Sequence, residues 1–508
     1  MTDILLGIQD AFTLANVVII FAGVTLGIIV GAIPGLNAPM AIAIAVPLTY
    51  YMSPLSALAF LISVNKGGSF GGSISGILLN TPGSPEAAAT AIDGHPLARK
   101  GKPVKAMQTA LSASVCGDLF SDIVLILVAA PLAIIALKLG PVETCALIIF
   151  AFAMIAGLLG SSIAKGLIAT ALGVFFATVG TDPTLSMPRL TFGSIELQSG
   201  IPLMAIGIGM LALSEVLLQI EEYFRGKRGA APAAPKIESD KDDRLTIREF
   251  FGLGRTIFRS AVIGTAIGAL PGLGATIAGF LGYGAARRAS RNPEQFGKGA
   301  PEGVAAAEAA NSAVVGANLI PLLALGIPGN VAAALLVGAF IIHGIAPGPW
   351  LFDDHGRLIY GMFAAMVIAN FANLFIGGFG LRLFARVLSI PKPVILPALV
   401  LLCLTGAYLN DQSFFAVSLT IAFAVLGYIM RKLEYPFVTF IIGFVLTPML
   451  ELSVSQAVII TNGSVWSLTQ HPVALVLLAL TLFVVVRFAV FAPRVQNTAQ
   501  KETAQPEA

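Results

Sequence analysis

The chain has 508 residues, of which 56% are hydrophobic and only 11% are charged, against roughly 25% charged residues in a typical soluble domain. A soluble chain of this length would have too few polar groups to cover its surface, so the composition excludes most soluble folds and indicates a polytopic membrane protein. The 53 glycines and 30 prolines are typical of packed transmembrane helices with backbone breaks rather than of a β-barrel. The net charge of +3 is small and says little about partners, and the basic residues are better used as a topology marker than as a nucleic-acid footprint, so we predict no nucleic-acid partner.

Apolar segments follow one another along the chain and predict its helices. In the first half they lie near residues 13–33, 38–50, 55–80, 106–137, 143–160, 163–180 and 201–220. In the second half they lie near residues 257–270, 274–286, 302–326, 329–346, 358–380, 394–409, 413–430, 436–450 and 473–491. Several contain only about 13 residues, fewer than the ~20 that a spanning helix needs. We therefore predict an all-α polytopic membrane protein with about 10–14 transmembrane or re-entrant helical segments, some of them discontinuous.

A polar stretch from Glu221 to Arg259 separates the two apolar halves and carries 16 of the 57 charges. Its composition is that of a solvent-exposed linker, because it buries little apolar surface. The predicted organisation is a first membrane repeat over residues 1–220 and a charged cytoplasmic linker over 221–258. A second membrane repeat with further C-terminal helices follows over 259–492, and a cytoplasmic polar tail over 493–508.

The two halves share their sequence breaks. The hexapeptide around Pro34-Gly35 (Gly-Ala-Ile-Pro-Gly-Leu) recurs around Pro271-Gly272 as Gly-Ala-Leu-Pro-Gly-Leu, 237 residues later. A second Pro-Gly follows in each half, at Pro82-Gly83 and Pro328-Gly329, with an offset of 246 residues and a run of alanines after it. Two matches in the same order predict an internal duplication.

The distribution of basic residues predicts that the two repeats are inverted. In the first repeat, bases follow the second matched element (residues 99–105), and the loop between the elements (50–54) is uncharged. In the second repeat, bases lie between the elements (287–298), and the stretch after them (344–356) holds Asp353 and Asp354 and no Lys or Arg. Because basic loops stay in the cytoplasm, equivalent loops are predicted to lie on opposite sides, with the linker and the C-terminus in the cytoplasm.

The Pro-Gly breaks are the sharpest candidate for a site. A break inside a membrane helix creates a new helix N-terminus, whose free N–H groups and dipole favour an anion. Irregular backbone at membrane depth is tolerated where it is buried in protein or lines a cavity. Kinks that serve only packing are the alternative interpretation. The predicted substrate-binding set consists of the break residues and their polar neighbours: Gly35, Leu36, Asn37, Asn80, Thr81, Pro82, Gly83, Ser84, Gly272, Leu273, Gly274, Ile327, Pro328, Gly329 and Asn330.

A few charged or amide side chains lie inside apolar runs, where they are costly. Lys66 is predicted either to hold a substrate carboxylate or to reach towards a membrane surface. Asp118 and Asp122, four residues apart on one helical face, and Glu308 with Asn311 are candidates for coupling to a cation or proton. Hydrogen-bonded structural carboxylates are the alternative for these residues.

An enzyme is not supported by any motif. The chain has neither a phosphate-binding G-x-x-x-x-G-K-[ST] loop nor an H-E-x-x-H zinc motif, and its three widely spaced cysteines read as small hydrophobic residues. We predict no catalytic residues, no metal site and no cofactor.

Several of these motifs together resemble one known family. They are Gly31-x-x-Pro34-Gly35-Leu36, Gly71-Gly72-Ser73, Leu78-Leu79-Asn80-Thr81-Pro82-Gly83, Thr90-Ala-Ile-Asp93-Gly94, Arg99-Lys100-Gly101, Glu302-Gly-Val-Ala-Ala-Ala-Glu308-Ala-Ala-Asn311, Pro321-Leu-Leu-Ala-Leu-Gly326-Ile-Pro328-Gly329 and Pro347-Gly-Pro349. They resemble the large membrane subunit of the tripartite tricarboxylate transporters over about residues 15–350.

The resemblance implies a cation-coupled secondary importer of organic carboxylates, such as citrate, in the bacterial inner membrane. It also implies two partners, a small four-helix membrane subunit and a periplasmic solute-binding protein, while leaving the coupling cation as Na⁺ or H⁺. A passive organic-anion channel that needs no binding protein is the alternative, because the same helix ends can also line a pore.

Overall fold

The structure is a computed structural model that describes residues 2–159, 162–182, 186–225, 243–272, 274–387 and 392–490. Nearly all of these residues are helical, which confirms the all-α prediction. Within the described ranges, β-structure is limited to β1 (Gly180–Thr181) paired antiparallel with β2 (Pro188–Arg189). The predicted tail and residues 226–242 of the predicted linker lie outside the described residues.

Ten α-helices precede the linker. They are α1 (Thr2–Ala11), α2 (Leu14–Ala32), α3 (Ala38–Ala45), α4 (Pro54–Leu79), α5 (Ala87–Arg99), α6 (Pro103–Ala136), α7 (Pro141–Leu159), α8 (Ile163–Ala177), α9 (Leu203–Gly207) and α10 (Ser214–Phe224). A π-helical turn over Ile208–Leu213 joins α9 to α10.

The helices after the linker include the second repeat and the C-terminal segments. They are α11 (Ile247–Gly268), α12 (Gly274–Ala289), α13 (Pro301–Ala317), α14 (Leu319–Leu325), α15 (Val331–Ile342), α16 (Leu351–Asp354), α17 (Gly356–Val387), α18 (Lys392–Asp411), α19 (Phe414–Lys432), α20 (Phe437–Ile460) and α21 (Pro472–Val490). Helical structure therefore extends into the predicted linker from both sides, to Phe224 and from Ile247.

Among the described residues, seven helical segments are long and apolar enough to cross a membrane, and six apolar helices are shorter, which agrees with the predicted number of segments. The long ones are Leu14–Ala32, Pro103–Ala136, Leu203–Phe224, Pro301–Leu325, Gly356–Leu381, Phe414–Lys432 and Phe437–Ile460. Helix α4 is as long but less apolar. Every residue of α4 after Pro54 is buried, so its glycines, serines and Lys66 face protein.

Helices α1 and α5 were not predicted from the sequence. Helix α1 carries charged residues and contacts the long α17 instead of forming an apolar segment of its own. Helix α5 contains Asp93, His95 and Pro96, which interrupt the apolar pattern by which the other helices were recognised. Both helices exist because tertiary contacts override a weak local signal.

Helix α13 lies at the centre of the bundle, packed between α6 and α11. It approaches both so closely that only glycine fits opposite it. A Cβ atom at Gly117 of α6 would lie 2.3 Å from the carbonyl oxygen of Ala309, and one at Gly264 of α11 would lie 2.1 Å from that of Ala310. Small residues on membrane helices permit this close approach, which holds the second repeat against the first.

The two basic loops meet at one end of the bundle. Gly299, in the loop before α13, packs against Leu97 at the end of α5, beside the basic residues that follow α5. The end of the linker lies there too, because the carboxylate of Asp243 accepts hydrogen bonds from the N–H groups of Val104 and Lys105 at the start of α6. Lys105 and Thr246 in turn hold the pKa of Glu249 down at about 2 by hydrogen bonding to its carboxylate.

The two loops that are poor in basic residues, near 50–54 and 344–356, lie beside each other, away from the two basic loops. Ser53, Pro54 and Leu55 share a cavity with the stretch from His343 to Arg357. Arg357 also forms an ion pair with Asp10 of α1 across 2.6 Å. The loop between the matched elements of one repeat therefore lies beside the loop that follows the matched elements of the other repeat. The inverted arrangement predicts this grouping.

Asp93 fastens the two repeats together at the basic end. Its buried carboxylate accepts hydrogen bonds from the N–H groups of Gly299 (2.7 Å) and Ala300 (2.9 Å), at the N-terminus of α13, and from the Tyr283 hydroxyl (2.9 Å).

Asp93→Ala leaves these three donors unpaired, and we expect it to lower the free energy of unfolding by about 2–3 kcal/mol. Thermal unfolding of the purified protein measures this loss. Tyr283→Phe removes one donor and should cost about 1 kcal/mol. Equal stability of Asp93→Ala and the native chain would contradict the role of this residue.

Candidate functional site

The first two breaks lie against each other. Gly35 has a φ of +89°, a left-handed value that favours glycine, and the chain then enters α3 with Asn37 as the N-cap. The second break begins at Asn80, which ends α4 with a φ of +54°. A Cβ atom at Gly83 would lie 2.6 Å from the carbonyl oxygen of Gly31 and 3.2 Å from that of Leu36, so the two breaks are in direct contact.

The third and fourth breaks repeat this geometry. Gly272 has a φ of +90°, as Gly35 has in the first repeat, and Gly326 ends α14 in the left-handed region at the position that matches Asn80. The N–H of Gly272 donates a hydrogen bond of 2.9 Å to the carbonyl oxygen of Gly329, which joins these two breaks directly. Asn330 caps α15 as Asn37 caps α3. The duplication predicted from the sequence is thus repeated in the backbone.

The two capping asparagines, Asn37 and Asn330, keep the same hydrogen-bond donors after capping. The side-chain oxygen of Asn37 accepts from the N–H of Met40 at 3.0 Å, and that of Asn330 accepts from the N–H of Ala333 at 2.9 Å. Each side-chain NH₂ group still offers donors, and both residues are half-buried. Because α3 also contacts α15, the capped helices belong to one packing unit that includes both repeats.

The other predicted break residues differ in exposure. Asn80 and Thr81 are exposed, whereas Gly83 and Ser84 are buried next to Gly72. Ile327, Pro328 and Gly329 are buried, and Leu36 and Gly272 are buried as well. Gly274 begins α12, and Leu273 lies outside the described residues.

Glu308 joins the second break to the central helix. Its carboxylate oxygen Oε2 accepts hydrogen bonds from Ser73 of α4 (2.6 Å) and Thr90 of α5 (2.8 Å), so one side chain of the second repeat is held by both helices that flank the second break. Among the described residues, Oε1 of Glu308 has no hydrogen-bond partner, and neither side-chain atom of the buried Asn311 has one. One turn of α13 therefore carries three buried polar atoms without a hydrogen-bond partner in the described residues, Oε1 of Glu308 and the side-chain oxygen and nitrogen of Asn311.

Lys66 is buried and paired inside the protein, so it does not reach towards a membrane surface. Its ammonium lies 2.9 and 3.1 Å from the two carboxylate oxygens of Asp122 and 3.0 Å from Oδ1 of Asn370. Oδ1 of Asp118 is 3.5 Å away, an ion pair rather than a hydrogen bond. All four side chains are buried, and Asn370 also donates to Asp122 at 2.7 Å. The charge of Asp122 is thus already matched.

Sequence reasoning missed the amide and hydroxyl members of these two clusters. Asn370 and Asn373 stand three residues apart in the apolar α17, on one helical face, and this spacing was a usable signal. Ser73 and Thr90 carried no such signal, because hydroxyl groups are common in membrane helices and can bond to their own backbone. Their hydrogen bonds to Glu308 could be found only from the three-dimensional structure.

An apolar cavity of about 520 Å³ lies beside the third and fourth breaks. Its walls come from α6, α7, α11 and α14, and it reaches Pro271 and Ile327. Its lining is almost wholly apolar, so it is unsuited to a carboxylate. Within the described residues, no group of three His, Cys, Asp or Glu side chains is arranged to hold a metal ion.

Discontinuous helices in two inverted repeats are a feature of many membrane transporters, and in the part of the chain that the structure describes they are accompanied by buried polar groups without a partner. The chain belongs to the tripartite tricarboxylate transporter TctA family, whose profile matches residues 17–442. The family resemblance predicted from the motifs is thereby confirmed. Membership implies the large subunit of a tricarboxylate transporter that works with partner subunits, in a multi-pass membrane protein, and it supports the prediction of a transporter rather than an enzyme.

Two relatives come from Agrobacterium vitis. One, described as an uncharacterised 52.8 kDa protein in the TAR-I ttuC′ 3′ region, is 35% identical over 486 residues, which cover 96% of this chain and 95% of the relative. The other, from the TAR-II ttuC′ 3′ region, is 37% identical over 223 residues, 44% of this chain and 92% of that relative. No solved structure shows a significant match to the chain.

Proposed function

We propose that the protein is the large membrane subunit of a binding-protein-dependent, cation-coupled importer of di- and tricarboxylates such as citrate. It works in the bacterial inner membrane with a small four-helix subunit and a periplasmic solute-binding protein, and its linker and C-terminus lie in the cytoplasm. The observation that carries the proposal is the direct pairing of two helix breaks in each repeat, through Gly83 in the first and the Gly272–Gly329 hydrogen bond in the second.

The substrate carboxylates bind at the helix N-termini that follow the breaks. A helix N-terminus attracts an anion through its free N–H groups and its dipole, and this attraction is stronger where water is excluded. The NH₂ groups of Asn37 and Asn330 add two directional donors, because the oxygens of these side chains are already used in capping. A dicarboxylate or tricarboxylate has enough acidic groups to engage one break pair in each repeat.

The coupling cation binds at Glu308, with Asn311 on the next turn of α13. Glu308 offers a negative charge and the oxygen Oε1, which has no hydrogen-bond partner in the described ranges, and Ser73 and Thr90 supply hydroxyl groups from the helices that flank the second break. Occupation of this position by Na⁺ or H⁺ neutralises a buried charge next to the substrate helices, and this is how the two binding events are coupled. Asp118 and Asp122 have Lys66 as counter-ion, so we assign them a structural role.

Transport by the reconstituted complex tests the proposal. The large subunit, the small subunit and the binding protein are combined in proteoliposomes, and labelled citrate uptake is followed under imposed Na⁺ and H⁺ gradients. We expect uptake against a citrate gradient that depends on one cation gradient and on the binding protein, together with counterflow. Citrate flux indifferent to both cation gradients and to the binding protein would identify a passive channel and contradict the proposal.

Replacing both capping asparagines tests the substrate position. Asn37→Ser with Asn330→Ser keeps a capping oxygen at each helix start but removes the NH₂ donors. A hydrogen bond to a charged group contributes about 1.5–3 kcal/mol, so we expect the KM for carboxylate to rise at least about tenfold while the protein stays folded. Asn292→Ser, at an exposed loop position, is the matched control. A KM within twofold of the native value in the double variant would contradict the proposed position.

A further inference from the structure

Lys66 occupies a closed cage of oxygen atoms deep in the bundle. Three oxygens lie within 3.1 Å of its ammonium, both from Asp122 and one from Asn370, and an oxygen of Asp118 lies at 3.5 Å. These ligands come from α6 and α17, and the lysine reaches them from α4. The lysine and both aspartates are fully buried, so the ammonium has exchanged its water shell for protein oxygens.

The cage contains more hydrogen-bond acceptor oxygens than one lysine ammonium can engage. It holds two carboxylates for one ammonium, and neither oxygen of Asp118 has a hydrogen-bond partner within the described part of the chain. Asn373, one turn beyond Asn370 on α17, is fully buried, and its side chain also has no hydrogen-bond partner among the residues that the structure describes. Carboxylate and amide oxygens around a single positive centre are the ligand set of a hard cation, and buried unpaired acceptors of this kind are costly unless a cation lies near them.

We propose that Asp118, Asp122 and Asn370 form an alkali-metal cation site in which the Lys66 ammonium is the resident cation. The tethered ammonium supplies the charge of a bound ion but cannot leave, so this half of the core keeps a constant charge through the transport cycle. Removing the lysine side chain opens the cage to a free Na⁺ or K⁺ ion. This inference is independent of the proposed coupling role of Glu308, because it concerns different oxygens and needs no transport.

The test uses the purified full-length chain in detergent, with Lys66→Ala, and measures thermal unfolding. The buffer begins with N-methyl-D-glucamine chloride, which is replaced by NaCl or by KCl at constant ionic strength. A ligand that binds only the folded state raises the melting temperature, and we expect a rise roughly 5 °C larger in Lys66→Ala than in the native chain at saturation. The separate NaCl and KCl series show which ion the cage prefers.

Two further variants make the result decisive. Lys66→Ala with Asp122→Asn removes the main ligand and should respond to alkali salt no more than the native chain. Lys66→Ser gives a smaller cavity with an added hydroxyl ligand and should behave like Lys66→Ala. The proposal is overturned if Lys66→Ala responds no more than the native chain, or if lowering the pH stabilises it equally well without alkali ions. It is also overturned if both single variants fail to fold when prepared in saturating alkali salt.

Discussion

Glu308→Gln is expected to abolish accumulation of carboxylate against its gradient while the protein remains folded. The glutamine oxygen can still accept the hydrogen bonds of Ser73 and Thr90, so packing around α13 is retained. A unit charge about 4 Å from a cation contributes about 4 kcal/mol at an effective dielectric constant of 20, which corresponds to a loss of roughly 1,000-fold in cation affinity. If the coupling ion is a proton, the amide has no acidic proton to exchange, and coupling is lost for that reason.

Gradient-driven uptake in proteoliposomes measures this effect, and Glu302→Gln on the same helix is the matched control. Glu302 lies in the first turn of α13 and accepts from Thr256 and Ser290, so its substitution tests a carboxylate of the same helix outside the proposed cation site. Native accumulation by Glu308→Gln, or an equal loss in Glu302→Gln, would remove Glu308 from the coupling mechanism.

Lys66→Met is expected to destabilise the protein by about 3–5 kcal/mol. Breaking a buried ion pair by removing one partner leaves an uncompensated buried charge, and here two carboxylates lose their counter-ion together. Methionine also fills most of the space of the lysine side chain, so no cation takes its place. A lower melting temperature and a lower yield of monodisperse protein are the observables.

The companion variant neutralises the cluster. Lys66→Met combined with Asp118→Asn and Asp122→Asn has no buried charge to compensate, and we expect it to recover most of the lost stability. Lys138→Met, at an exposed lysine, is the control and should change the stability by less than about 0.5 kcal/mol. Native stability of Lys66→Met alone would show that the buried pair is not needed to hold α4, α6 and α17 together.

The architecture was predictable where the signal is local or repeats along the chain. Helix breaks at Pro-Gly follow from the missing N–H of proline and the backbone freedom of glycine, and the duplicated hexapeptide led directly to the matched φ values of Gly35 and Gly272. The positions of basic loops gave the relative orientation of the repeats. These features need no knowledge of which helices touch.

The partners of the buried charges were not predictable in this way. Lys66 is 56 residues from Asp122 and 304 from Asn370 in the sequence, and Glu308 is 235 residues from Ser73. The packing of α4 against α6 decides the first of these pairs, and the packing of α17 and α13 against the first repeat decides the other two. The sequence therefore indicated that the charges of Lys66 and Glu308 are costly to bury and need partners. The fold shows that the lysine has counter-ions and that Oε1 of Glu308 has no hydrogen-bond partner among the described residues.

We propose that carboxylate binds at the paired breaks and the coupling cation at Glu308. The most direct measurement is a structure of the assembled transporter determined with citrate and the coupling cation bound. We expect citrate carboxylates within hydrogen-bonding distance of the side chains of Asn37 and Asn330, with Glu308 holding the cation or its proton. Citrate bound away from all four breaks, with Glu308 unchanged between the loaded and empty states, would contradict it.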